Sequence, residues 1–223
     1  MQVSCFRKKL KTKINMRKIA ATYIFSGNGK PLKNGIVVCE NDGTVIEVVD
    51  TSGDLREQAG LEFYNGILVP GFVDVHCNLD TFNLNVFFYE NGIIEALKKC
   101  GGSLENDFLS LCPSLALFFY GLPPLEYFIN EEITVCIGSN GTPMNQNHKL
   151  AVFDEMLVLQ KNYPELALEE LIKWACFNGA LALKTDNMEG SLEKGKRPGI
   201  NIITGIDFKN MKLTDNSTAI QLI

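Results

Sequence analysis

Between Arg17 and Asp50 the apolar residues come in short β-branched runs, "KIAATYIF", "GIVVCE" and "TVIEVV", broken by "SGNGKP" and by the Asp-Gly pair of "NDGT". Runs of this length closed by glycine turn signals predict three short antiparallel strands. "LEFY" predicts one more strand and Asn65-Gly66 a turn. The wholly apolar "ILVPGFVDVH" then reads as a buried strand in which Pro70-Gly71 allows a change of direction. From Asn83 the pattern weakens. A helix is expected over residues 93–99, stopped by Gly101-Gly102. "LCPSLALFFYG" and "EITVCIGSN" read as buried elements, the second a parallel-type strand because it is apolar throughout and flanked by turns. "LAVFDEMLVLQKNY" and "PELALEELIKWACFNGALAL" each predict a helix. In the second, Leu168, Leu171, Ile172 and Ala175 form one apolar stripe, Pro164 sits in the first turn, and Trp174 and Phe177 belong to the core. The chain closes with glycine turns and short β runs. The order β, α/β, β predicts a fold of class α/β in which both chain ends build one module around an inserted body. Its expected bounds are 17–68 with 195–223 for the β part and 69–194 for the α/β part.

Composition leaves this picture unchanged. At 223 residues, 46% hydrophobic and 21% charged, the chain has the balance of an ordinary globular protein. "FLSLCPSLALFFYGLPPL" is the longest stretch without charge, but Pro113, Gly121, Pro123 and Pro124 argue against a membrane helix, and it is expected in the core. Seven cysteines, odd in number and scattered without a CxxC pair, fit reduced thiols and a cytoplasmic protein rather than a disulfide framework.

Charge adds one feature. The net charge of −5 hides a basic tail, residues 1–16, expected to be disordered; Arg7, Lys8, Lys9, Lys11 and Lys13 lie in it and Arg17 and Lys18 follow. With those seven positive charges set apart, the rest of the chain stands at −12. The body offers no basic stripe with interleaved aromatics, so nucleic acid is not an expected partner. Met16 opens a strand-like run, so residues 1–15 read as an unstructured or spuriously translated extension, and no apolar stretch follows the basic residues as in a secretory signal.

Four blocks carry chemistry. "LVPGFVDVHCN" resembles the "PGFVDxHxH" signature of the amidohydrolase superfamily, the metal-dependent hydrolases that include cytosine deaminases and chlorohydrolases. In the same order, "CPSLAL" with its following glycine and prolines is similar to that family's seventh barrel strand. "TVCIGSNG" is similar to its eighth, "VxLGTDS", and "GSLEKGKRPGINII" to its closing "GSLExGKxADLVLL". The resemblance implies a (β/α)8 TIM-type barrel with its site at the C-terminal ends of the strands, beside a small β-sandwich built from both chain ends. It also implies zinc or iron, a metal-activated water, and hydrolysis of a non-peptide carbon–nitrogen bond in a small-molecule substrate.

This chain departs from the pattern where the chemistry resides. Side chains two apart on a strand share a face, so an HxH pair reaches one ion. Here His76 keeps the first position as a remnant metal ligand, and Asn78 occupies the second. An amide is a poor ligand for a cation that favours imidazole or thiolate. In the eighth-strand block Asn140 stands where the family has Asp, so no titratable oxygen is supplied to take the water's proton. His148, in "NQNHKL", is the only other histidine and reads as a surface or helix-start residue, while Asp80 reads as a loop residue. Cys77, adjacent to His76, faces the opposite side and makes no dyad with it. Only thirty residues, 81–110, separate the first-strand block from the seventh, room for about one βα unit of roughly 30 residues in a barrel of about 250. The expectation is an incomplete, inactive barrel with no metal bound; the alternative is a noncatalytic scaffold that self-associates through open strand edges. No membrane partner is expected.

Overall fold

A computed structural model describes residues 16–76, 86–88, 108–119, 121–139 and 151–223. Strands β1 (Met16–Ile24), β2 (Leu32–Lys33), β3 (Ile36–Glu40), β4 (Val45–Val49) and β5 (Leu61–Pro70) come first. They are followed by β6 (Val86–Phe88), β7 (Phe108–Leu111), helices α1 (Pro113–Phe119) and α2 (Leu125–Asn130), and β8 (Thr134–Ile137). Helices α3 (Ala151–Asn162), α4 (Leu168–Ala175) and α5 (Phe177–Leu183) precede β9 (Ile200–Thr204) and β10 (Thr218–Gln221).

Both chain ends contribute to one seven-stranded sheet of order β10-β9-β5-β1-β3-β4, with β2 paired to β1. The pair β1–β5 is parallel; β1–β3, β3–β4, β5–β9 and β9–β10 are antiparallel. Alternation along β5 sends Ile67 and Val69 to one apolar cluster and Leu68 to another. On β1 and β3, Ile19, Ala21, Val37 and Cys39 join the cluster of Leu68, whereas Ala20, Ile36 and Val38 face the opposite side. Both faces of the sheet are therefore covered, which is why these runs carry so few polar residues. A second sheet, β6-β7-β8, is wholly parallel. Its residues Leu109, Leu111, Val135 and Ile137 pack with Phe153, Leu171 and Trp174 of α3 and α4 in the same cluster as Ile67 and Val69. The result is a mixed α/β structure, with no closed barrel among the described residues.

Several expectations are corrected. Asn65-Gly66 is no turn: β5 runs unbroken through it. Ala21 pairs with Tyr64 and Tyr23 with Ile67, so Thr22 alone stands opposite Asn65 and Gly66, a β-bulge. Glycine is needed because a Cβ at Gly66 would lie 2.4 Å from the Ile203 carbonyl oxygen. The late helix is two helices, α4 and α5. The Ala175 carbonyl accepts the Val73 N–H (2.9 Å) instead of continuing the ladder, and Cys176 takes φ −122°. Pro164 lies ahead of α4, whose N-cap is Ala167. Trp174 is buried as expected, but Phe177 is only half-buried. The charge-free stretch is core only in part: Leu109 and Leu111 are buried, while Phe118 and Phe119 are 81% and 61% exposed, because the short α1 packs by one side. The helix expected over 93–99 lies outside the described residues.

Candidate functional site

Past Pro70 the chain leaves the large sheet and runs beside β8, with the Val75 N–H donating to the Ile137 carbonyl (3.4 Å). This brings Asp74 and His76, two apart on one face, to the C-terminal ends of β7 and β8. Asp74 is the hub. Its Oδ1 accepts the N–H of His76 (3.1 Å) and of Ser139 (3.0 Å), and its Oδ2 accepts the Ser139 hydroxyl in a short hydrogen bond. One carboxylate thus ties the "PGFVDVH" segment to the "IGSN" segment. The Gly138 N–H donates to the Leu111 carbonyl (3.0 Å), joining β8 to the end of β7. A Cβ at Gly138 would stand 2.5 Å from the His76 Cβ and 2.9 Å from the Ser110 Oγ, so the close approach of the three segments requires glycine here.

His76 is half-buried, and its Nδ1 lies 3.4 Å from the Sγ of the buried Cys112. Burial pulls the imidazole pKa below its ordinary value; the Asp74 charge opposes that shift without cancelling it. The ring is therefore neutral near pH 7. Behind it, the fully buried Glu155 of α3 accepts the Ser114 N–H (2.8 Å) and, in a short hydrogen bond, the Ser114 hydroxyl. Burial pushes its carboxyl pKa up against the lowering effect of Ser114, and the charges of Asp154 and Asp74 add to the rise. Glu155 thus fixes the start of α1 at Ser114, two residues after the Cys112 that meets His76.

Of the residues singled out in the sequence, His76 is placed at this junction. Asn78, Asn140, His148, Asp80 and Cys77 lie outside the described residues. Among the described residues, the thiol that meets His76 is that of Cys112. Ser110 and Cys112 are two apart at the end of β7, as Asp74 and His76 are on their own segment, but that spacing gives Cys112 a face and not a partner. Asp74 was read only as part of the motif, although it makes three of the contacts that build the junction.

Among the described residues, the donors at this junction number fewer than a catalytic cation takes. A catalytic zinc takes three protein ligands and an open position. Here Nδ1 of His76 and Sγ of Cys112 supply two, and both Asp74 oxygens are engaged in hydrogen bonds. No group of three His, Cys, Asp or Glu side chains suited to a metal occurs among the described residues. Nor, among them, is any helix long and apolar enough to cross a membrane.

Comparison with known proteins follows the same lines. The family model described as "Amidohydrolase family" matches residues 119–221, from the end of α1 through β10. Imidazolonepropionase of Picrophilus torridus is 37% identical over 142 residues, 63% of this chain and 32% of that protein. A 5-methylthioadenosine/S-adenosylhomocysteine deaminase of Saccharophagus degradans is 34% identical over 99 residues, 41% of this chain and 21% of that one. The chain thus spans about a third or less of the length of these curated relatives. Among solved structures, Helicobacter pylori aminofutalosine deaminase aligns with a TM-score of 0.54 at 13% identity, covering 90% of this chain and 94% of that one. Guanine deaminase of E. coli aligns with a TM-score of 0.52 at 12% identity, covering 85% and 89%. At such identities the likeness is one of fold alone.

Proposed function

Since the chain belongs to the amidohydrolase superfamily, we propose that it descends from a metal-dependent hydrolase of non-peptide carbon–nitrogen bonds, of the deaminating kind, and has lost turnover. The observation that carries this reading is the junction at Asp74. The carboxylate, its three hydrogen-bond donors and the glycine that lets β8 approach His76 are all in place. The groups that would ligate and deprotonate are replaced by Asn78 and Asn140. Frame and chemistry have parted. In the ancestral reaction the metal supplies an ionised water; in this chain His76 contributes one neutral nitrogen and Asp74 holds two strand ends together. The shortness of residues 81–110 supports an internal deletion of barrel units.

The test uses the full-length protein purified with zinc or iron supplied. We expect well under one metal per chain and no release of ammonia from 5-methylthioadenosine above background. A stoichiometric metal together with chelator-sensitive turnover overturns the reading. A second reading, a noncatalytic interaction protein, is favoured by the exposed apolar side chains of Phe118, Phe119, Leu122 and Ile129 around α1 and α2. It predicts self-association visible by light scattering, which a monomer at all concentrations rules out.

A further inference from the structure

The N-terminal end of β8 carries a feature unrelated to the Asp74 junction. A cavity of about 850 Å³ opens there between α2 and α4, lined by Ile133 and Thr134 and by residues of both helices. Thr134 and Ser139 are five positions apart, so the cavity lies about 15 Å along the strand from the junction. Its size is that of a pocket for a small organic molecule, commonly about 300–1,000 Å³.

Its walls define the ligand's chemistry. Tyr127, Tyr163 and Trp174 line it together with prolines and leucines. The Tyr163 hydroxyl donates to the Pro123 carbonyl, and the Trp174 indole N–H donates to the Glu170 Oε1 (2.8 Å). The polar ends of these two aromatics are thus spent within the protein; the half-buried Tyr163 offers a ligand apolar surface, and Trp174 lies buried just beneath the lining. Four carboxylates also line the cavity, Glu126, Glu132, Glu165 and Glu170, against the single cation Lys173. Lys173 is already taken, 3.6 Å from Glu170. Glu126, Glu132 and Glu165 are exposed, and none of them has an ion pair among the described residues. An aromatic-walled cavity with an excess of unneutralised carboxylates complements an organic cation with an apolar body.

We propose that this cavity binds a small organic cation, an ammonium group carried on an aromatic or aliphatic body. The carboxylates select the charge and the aromatic walls receive the body. The site is independent of the metal question, because none of its lining residues belongs to the junction at His76.

The probe is benzyltrimethylammonium, whose charge does not depend on pH, titrated into the full-length protein by calorimetry. Trp174 is the single tryptophan of the chain, so its emission reports where the probe sits. We expect saturable binding with a change in Trp174 emission. Benzyl alcohol, of similar body and no charge, should bind at least about tenfold more weakly, the size of one desolvated cation–π contact. The triple variant Glu126→Gln, Glu132→Gln, Glu165→Gln, which alters only exposed side chains, should show a comparable loss. Ala167→Phe, which projects a ring into the cavity from its lining, should abolish the signal without changing the far-ultraviolet circular dichroism. Absence of saturable binding, equal affinity for benzyl alcohol, or an unchanged triple variant overturns the proposal. So does tighter binding of pentalysine than of the probe, which assigns the surface to a basic peptide instead.

Discussion

Gly138 governs how closely β8 approaches the segment carrying His76. Gly138→Ala places a Cβ where the His76 Cβ and Ser110 Oγ already stand. The neighbours must give way, at a cost of about 1–3 kcal/mol for an overpacked site. Urea denaturation should show that loss, and the His76 ring resonances should shift. Asp74→Asn leaves one carbonyl oxygen in place of two acceptors and turns an amide N–H₂ toward the Ser139 hydroxyl or the two backbone donors. A loss of about 1–3 kcal/mol follows, measured in the same way. Two titrations run in opposite directions at this place. Burial lowers the His76 pKa below 6.5, so the unfolded chain binds the proton more readily. The stability tied to His76 is present above 6.5 and is lost as pH falls through the folded value. Burial raises the Glu155 pKa above 4.5, so its contribution is present below 4.5 and is lost as pH rises through the folded value. Proton NMR should find His76 titrating below an ordinary histidine. Removing the upper limb of the stability profile by Glu155→Gln checks the second.

At the scale of elements, the β5–β9 pair depends on Gly66. Gly66→Ala drives a Cβ into the Ile203 carbonyl, and amide exchange along Ile67–Val69 and Ile200–Ile203 should accelerate before it does along β3. The same residue shows what the sequence leaves hidden. Asn-Gly between two apolar runs is a turn signal in local terms. Only the strand returning from the far end of the chain, whose carbonyl occupies the space, makes it a bulge. The break at Cys176 is hidden for the same reason: the apolar stripe is continuous, and the N–H of Val73 from another segment takes the Ala175 carbonyl. By contrast β8 was legible, because a short apolar run between turns needs no distant partner to be read as a buried parallel strand. His76 was legible through its motif. Cys112 was not, because period two places it on a face but does not say which residue faces it across the strands.

For the whole molecule, the large sheet is the unit of stability. β5 lies between β1, from the first part of the chain, and β9, from the last, and contributes to two apolar clusters at once. Removing residues 200–223 strips β5 of its antiparallel partner and exposes Ile67 and Val69 on one face and Leu68 on the other. We expect the shortened chain to lose its cooperative thermal transition altogether, rather than to melt at a lower temperature with the same sharpness, as scanning calorimetry would show.

That central position of β5 also sets a schedule for synthesis. On the ribosome, Ile67 emerges long before Ile203, its partner across the ladder. Ile203 lies 136 positions after Ile67, so at about 5–20 residues per second it follows roughly 7–27 seconds later. Throughout that interval the nascent chain displays an apolar strand with one side unsatisfied. A chaperone that recognises extended apolar segments therefore has its target and its window of action set by the strand order alone.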